Sequence, residues 1–272
     1  MASVATASPW LPAAASASEH VIATGDPLPN LFVVPAYNEV ENLPRLIADF
    51  ESRPELFPPG SRLIVVDDGS VDGTPDLVAN YAGPLPIELV RLDRNQGPGA
   101  AFRAGFAAAL ASCRAEALVI TLEADTTSDL DAVPEMLERA TAGAELVLAA
   151  WVMVKVGRVR RVLSGGAAIV VRRLLGVQAH TVSSFLRVYR ASALRLAWER
   201  YGDDLIREEG FACKAELLSN LAKLGARIEE VPVALDTSRR VGESKMPILR
   251  TIGAYCRMLA RQRLSKAPAV AE

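Results

Sequence analysis

Histidine is almost missing from this chain, with two in 272 residues, His20 and His180. Cysteine is scarce as well, and the three present, Cys113, Cys213 and Cys256, are odd in number and far apart. That usage excludes a disulfide framework and a Cys/His zinc site, and suits a reduced, cytoplasmic protein. Chemistry built on a histidine general base has little to draw on, because His20 lies in the N-terminal tail and His180 reads as a loop or core residue. No apolar run reaches the roughly 20 residues that a membrane span requires. The nearest, "ELVLAAWVMV" (145–154), stops at Lys155. Charge of one sign is not in excess either: the net charge is −2 and the pI near 5.9, which argues against general nucleic-acid binding. A Gly-Lys-Ser/Thr phosphate loop is absent, and the first strand lacks the dinucleotide glycine spacing.

Apolar residues, by contrast, make up 50% of the chain, enough for a sizeable core. Residues 1–28 are rich in Ala, Ser and Pro without a basic residue, and read as a disordered tail. From there the pattern alternates. Apolar runs at 31–39, 62–70, 87–93, 117–125 and 144–152 read as strands. Between them, 42–52, the segment after "DGT", 98–112 and 130–141 read as helices. Fully apolar strands alternating with helices predict an α/β fold, a mostly parallel sheet covered on both faces. We expect one such domain over 29–245, followed by a basic amphipathic helix and tail over 246–272.

Polar residues gather where these strands end: Asn38 and Glu39, Asp67 and Asp68, Asn95, then Glu123 and Asp125. In open α/β sheets that edge binds ligands. In an extended chain Glu123 and Asp125 would share a face, and two carboxylates held together repel unless a positive group lies between them. The segment reads either as a cation site or as a polar loop whose Asp or Ser caps the next helix. The aspartate pair reads as a ribose or base contact or as a helix cap. "NQGPGAAFRAG" (95–105) reads as a turn and helix start. Glu208 and Glu209 read as helix-end surface charges or as a base or acceptor-loop contact. Glu216 falls in an amphipathic helix, solvated or paired with a basic loop.

Together, "VVPAYNEVENL", "VVDDGSVDGT", "NQGPGAAFRAGF" and "TLEAD" resemble the inverting family 2 glycosyltransferases of GT-A fold, a Rossmann-like nucleotide-diphospho-sugar transferase architecture. "RVLSGGAAIVVRRLLGV", "VSSFLRVYR", "GFACKAELLSNLAKLGARIEEVPV" and "RRVGESKM" look like the polyprenyl-phosphate branch, of the dolichol-phosphate mannose synthase type. The resemblance covers about residues 30–250. It implies that Pro35, Tyr37 and Glu39 line the base and ribose of a nucleotide sugar, with Asp67, Asp68 and Gly97 on the same donor. Glu123 and Asp125 fall on the family's Asp-X-Asp motif and would hold Mg²⁺ or Mn²⁺ on the donor diphosphate. Arg187 falls in the segment that supplies a phosphate-binding arginine. Arg239, Ser244 and Lys245 match a basic signature that covers donor or acceptor phosphates. Glu stands for Asp at the first motif position, and Pro98 stands where a lysine is frequent.

The implied reaction is metal-dependent, inverting transfer of a hexose from a GDP-mannose or UDP-glucose type of donor to a polyprenyl phosphate. A phosphate acceptor, with a second pKa of about 6, is already mostly dianionic at neutral pH and needs no general base, in keeping with the histidine shortage. Two other classes remain open: a family 2 enzyme acting on a soluble hydroxyl acceptor, and a silent nucleotide-sugar-binding or scaffold protein. The segments 151–177 and 247–263 interleave apolar residues with Arg and Lys. They point to peripheral association with the cytoplasmic face of a membrane, with a membrane-anchoring protein as a further partner.

Overall fold

The computed structural model describes residues 28–111, 113–152, 179, 181, 182, 184–234 and 248–264. Arg239, Ser244 and Lys245, His180, and nearly all of the basic segment 151–177 lie outside the described residues. A seven-stranded sheet runs in the order β3-β2-β1-β4-β6-β5-β7. Its strands are β1 (Asn30–Ala36), β2 (Arg62–Asp67), β3 (Ile87–Arg91), β4 (Leu118–Thr121), β5 (Leu146–Val152), β6 (Arg187–Arg190) and β7 (Ile228–Ala234). All pairings are parallel except those of β6, which runs antiparallel to both β4 and β5.

The helices are α1 (Leu43–Glu51), α2 (Thr74–Ala79), α3 (Pro98–Ala111), α4 (Val133–Thr141), α5 (Ala191–Tyr201), α6 (Cys213–Lys223) and α7 (Ile248–Leu264). Side chains alternate along each strand, so consecutive residues feed two separate cores. Leu31 and Val33 join Phe102, Phe106, Leu194, Leu218 and Met258 on one face. Phe32 and Val34 join Leu43, Leu46, Phe50 and Met136 on the other. The strands that sequence alone made legible, β1 to β5, are apolar runs, of which β3 is only half-buried.

Helix α1 shows the logic of that second face. It buries Leu43, Leu46, Ile47 and Phe50, a helical stripe pressed onto β1. The Phe50 ring lies 4.8 Å from Phe32 and 5.4 Å from Phe57, edge-on to both. Such pairs add to the burial of the rings themselves. Helix α7 packs against α6 and buries Ala254 and Met258, while Ile252 on the stripe expected for a membrane stays 55% exposed.

The connections from β1 lead to β2 on one side and, after β3, to β4 on the other. That reversal opens a crevice between the carboxyl ends of β1 and β4, where a doubly wound sheet receives its ligand. Because β6 is antiparallel, its amino end reaches the same edge: Arg187 pairs with Thr121, the last residue of β4.

Phe50 lies on the face of the sheet away from α3 and α6. We expect Phe50→Ala to lower unfolding stability by about 3–5 kcal/mol, measured by urea denaturation, while the kinetics of the folded fraction stay unchanged.

Candidate active site

The ends of β1 and β2 are laced together by their own side chains. Asn38 N donates to Ser70 Oγ at 2.8 Å, Val71 N to Asn38 Oδ1 at 2.9 Å, and Glu39 N to Thr74 Oγ1 at 2.9 Å. Glu39 Oε2 accepts from Asn42 Nδ2 at 2.8 Å, which fixes the turn into α1. Pro35, Tyr37 and Glu39 sit half-buried along this rim.

Asp67, the last residue of β2, is fully buried. Its Oδ1 accepts from Ser70 N at 3.1 Å. Its Oδ2 has no hydrogen-bond partner, with only Arg91 Nε nearby at 3.4 Å. A buried acceptor left this way is an opening for a ligand N–H or O–H. Asp68 does a different job. Its two oxygens accept from Gln96 N and Gly97 N, both at 2.8 Å, and so hold the loop that feeds α3. Burial pushes the Asp68 carboxyl above its usual range, with the two amides opposing that shift.

The glycines of that loop face protein. Gly97 has φ +93°, and a Cβ there would lie 2.5 Å from the Glu209 carbonyl oxygen. A Cβ on Gly99 would collide with the carbonyl of Glu208, and Gly99 N donates to Glu209 O at 2.8 Å. The glycines let the loop lie flat on the chain at 208–209.

At β4 the strand stops at Thr121, so Glu123 and Asp125 lie in the turn beyond it and strand alternation does not align them. Asp125 Oδ1 accepts from Thr127 N at 3.1 Å and Thr127 Oγ1 at 2.6 Å. Thr126 between them takes φ +61°, a left-handed conformation that is rare and strained for a β-branched residue. Ser128 Oγ is buried and has no hydrogen-bond partner. Asp129 caps the turn into α4, accepting from Asp131 N at 3.1 Å. The acidic stretch thus divides into a helix cap and a pair held at the ligand edge.

Arg187 is buried in the core. Its Nε donates to Ser184 O at 2.8 Å, Nη1 to Lys214 O at 2.7 Å and Nη2 to Val182 O at 3.0 Å, bracing the segment before β6 against α6. A phosphate would have to displace these carbonyls.

Two features were not read from sequence. Lys214, in the first turn of α6, places its ammonium 3.6 Å from the centroid of the Phe185 ring, within the electrostatic reach of Glu123. Burial lowers its pKa to about 8, Glu123 opposes that shift and Arg187 adds to it. The second is a buried ionic cluster. Glu216, read as solvated or bound to a basic loop, is 1% exposed and accepts from Arg207 N at 2.8 Å and Glu208 N at 2.7 Å. Arg261 of α7 reaches Glu208 at 2.7 Å and Glu216 at 2.9 Å. Glu209 is a surface charge as one of the two readings had it, whereas Glu208 is buried. The sign of a lysine at the start of α6 was available in the sequence, because the amino end of a helix disfavours a cation.

Comparison with known proteins gives this edge its family. Residues 31–196 match the model of "Glycosyl transferase family 2". The chain belongs to that family. Similar curated proteins include an undecaprenyl-phosphate mannosyltransferase from Micrococcus luteus, 31% identical over 79% of this chain and 86% of that one. A polyprenol monophosphomannose synthase from Mycolicibacterium smegmatis is also 31% identical, over 79% and 80%. Among solved structures, mannosyl-3-phosphoglycerate synthase from Rubrobacter xylanophilus has a TM-score of 0.62 at 19% identity, over 90% of this chain and 78% of that one. Glucosyl-3-phosphoglycerate synthase from Mycobacterium tuberculosis, crystallised with Mn²⁺ and UDP-glucose, has 0.59 at 20% identity, over 90% and 81%. The fold is GT-A and the chain is a glycosyltransferase.

For this glycosyltransferase the residues at β4 fit a hard divalent cation. Glu123 and Asp125 offer carboxylate oxygens in the turn that also carries the orphaned Ser128 Oγ. Among the described residues no cluster of three or more His, Cys, Asp or Glu side chains is arranged to hold a metal. Two carboxylates suit an ion that takes its remaining ligands from water and substrate phosphates.

Among the described residues Arg261 forms ion pairs with two buried carboxylates, so Arg261→Ala should cost roughly 3 kcal/mol, the low end for a broken buried pair because the guanidinium is partly solvated. The Glu216 carboxyl is held above its usual value by burial. Its charged form is therefore disfavoured in the fold, and stability falls as pH rises past the unfolded carboxylate value of about 4.3. Urea melts should show a larger Arg261→Ala deficit at pH 7 than at pH 4.

Proposed function

We propose that this glycosyltransferase moves a hexose from a nucleoside-diphosphate sugar to a polyprenyl phosphate, with inversion at the anomeric carbon. The observation that carries the reading is the likeness to two curated polyprenyl-phosphate mannose transferases, each 31% identical over 79% of the chain. A mannosyl donor of the GDP type is the first choice and a UDP-hexose the second. The absence of a histidine on the described edge supports a phosphate acceptor over a hydroxyl one, since an ionised phosphate oxygen needs no base.

Asp67 Oδ2 would accept a hydrogen bond from the base or ribose, with Pro35, Tyr37 and Glu39 along the same rim. Asp68 and Gly97 act behind them by holding the glycine loop flat. Glu123 and Asp125 would hold Mg²⁺ or Mn²⁺. When bound, the ion neutralises charge that builds on the departing diphosphate. Asp125 is pre-aimed by Thr127, so its carboxylate does not reorganise during the reaction. An acceptor phosphate oxygen forms the new bond to the anomeric carbon as the bond to the donor diphosphate breaks, and the electron pair leaves with the nucleotide. Arg239, Ser244 and Lys245, on the segment after β7, would add charge-assisted contacts to phosphates.

Asp125→Asn keeps the acceptor for Thr127 and removes the negative charge. Transfer from a nucleotide sugar to a short-chain polyprenyl phosphate should fall about a hundredfold or more, with the melting temperature nearly unchanged. EDTA should abolish wild-type transfer and Mn²⁺ or Mg²⁺ restore it. Transfer to a soluble sugar hydroxyl but not to lipid phosphate would replace the acceptor assignment, and EDTA-resistant turnover would remove the metal.

Action at a membrane surface belongs to the same reading. Among the described residues no helix is long and apolar enough to cross a membrane. The outer face of α7 exposes Arg250, Ile252, Arg257 and Arg263. Each basic residue near an anionic surface contributes about 1 kcal/mol. The protein should therefore float with anionic liposomes at low salt and release at high salt; retention in the soluble fraction at low salt would rule this out.

A further inference from the structure

Lys214 is placed against the local preference of its helix. It stands in the first turn of α6, where the helix dipole disfavours a cation. Its neighbours Cys213 and Ala215 are buried, and its ammonium lies 3.6 Å from the Phe185 ring centroid and 5.6 Å from that of Phe211. The three ammonium donors find no hydrogen-bond partner among the described residues. The titratable groups whose fields act on it are Glu123, the Cys213 thiol and Arg187, the first two favouring its charge and the second buried cation opposing it. A lysine half-withdrawn from water, short of hydrogen bonds and facing the acidic turn is arranged to receive an anion.

The sheet says which anion. Along the ligand edge the order is β2, β1, β4, β6, with Asp67 on β2, Glu123 and Asp125 after β4, and Phe185 just before β6. Strands are about 4.8 Å apart, so a donor running from Asp67 to the acidic pair crosses two intervals. Lys214, over Phe185, stands one interval further out, on the side of the acidic turn away from Asp67. We propose that Lys214 binds the acceptor, its ammonium holding an anionic phosphate monoester opposite the Glu123–Asp125 turn. Phe185 and Phe211 screen the contact from water and so strengthen it. This proposal rests on the phosphate-acceptor reading above and adds the residue that carries it.

The test compares the full-length wild type with Lys214→Gln and Lys214→Arg. Calorimetry measures binding of a short-chain isoprenyl monophosphate, of GDP and UDP with Mn²⁺, and of Mn²⁺ alone; steady-state kinetics and thermal melts accompany it. Lys214→Gln should weaken isoprenyl phosphate binding, and raise its KM, by about ten- to a hundredfold. Nucleotide and Mn²⁺ binding should stay within about twofold of wild type, the range expected where no charge-assisted contact is lost. The melting temperature should hold or rise, because an unpaired cation has been removed, and Lys214→Arg should recover much of the acceptor affinity. Unchanged acceptor binding in Lys214→Gln overturns the proposal. So does a loss confined to nucleotide or to Mn²⁺, which would make Lys214 a donor contact or a counter-ion of Glu123. A lowered melting temperature that Lys214→Arg does not rescue would make it structural. A wild type that binds no isoprenyl phosphate fails the acceptor reading itself, and Lys214 falls with it; a wild type that binds while Lys214→Gln binds equally well fails Lys214 alone.

Discussion

Like charges repel, and this protein gathers carboxylates on one edge of its sheet. Each is answered differently. Asp68 is neutralised by two backbone amides of the glycine loop, Asp67 by Ser70 N and the nearby Arg91, and Glu208 and Glu216 by Arg261. Glu123 has Lys214 in its field, and Asp125 is steadied by Thr127. The carboxylates around the acidic turn after β4 are thus largely matched by donors, with Asp67 Oδ2 the exception among the described residues. Had the neighbours been left unmatched, repulsion would have raised their proton affinities and blurred the distinction between scaffold and site.

Much of this was legible in the chain. Apolar runs announce themselves, even in β3, which is only half-buried at the sheet border, so β1 to β5 and the helices between them could be read. Strand β6, "RVYR", could not: it begins and ends in arginine and holds its place through pairing with β4 and β5. Strand β7, "IEEVPVA", lies at the border of the sheet with two adjacent glutamates and a proline, and lacks the signal of a buried strand. Glu123 and Asp125 were singled out by their place after an apolar run and by motif likeness, and the expectation that strand alternation aligns them failed because β4 ends at Thr121.

The ionic cluster was illegible for another reason. Glu216 and Arg261 are 45 residues apart, and nothing local to either shows that they meet. Glu208 looks like a surface charge until the glycine loop is seen lying across its carbonyl. Motif likeness carried the nucleotide-sugar expectation, and Lys214, although inside a segment quoted for that likeness, was given no role by it.

The contact between Arg261 and Glu208 also has a bearing on how the chain matures. A protein is made from its amino end, and domains begin to organise as they emerge. The sheet, both glycines and the two glutamates are synthesised before α7 exists. Until Arg261 arrives, Glu208 and Glu216 lack its charge, and the carbonyls that support Gly97 and Gly99 rest on an electrostatically unfinished segment. Helix α7 thus works as a keystone: a nascent chain can build its sheet early, but the floor beneath the glycine loop is locked only once α7 has been made.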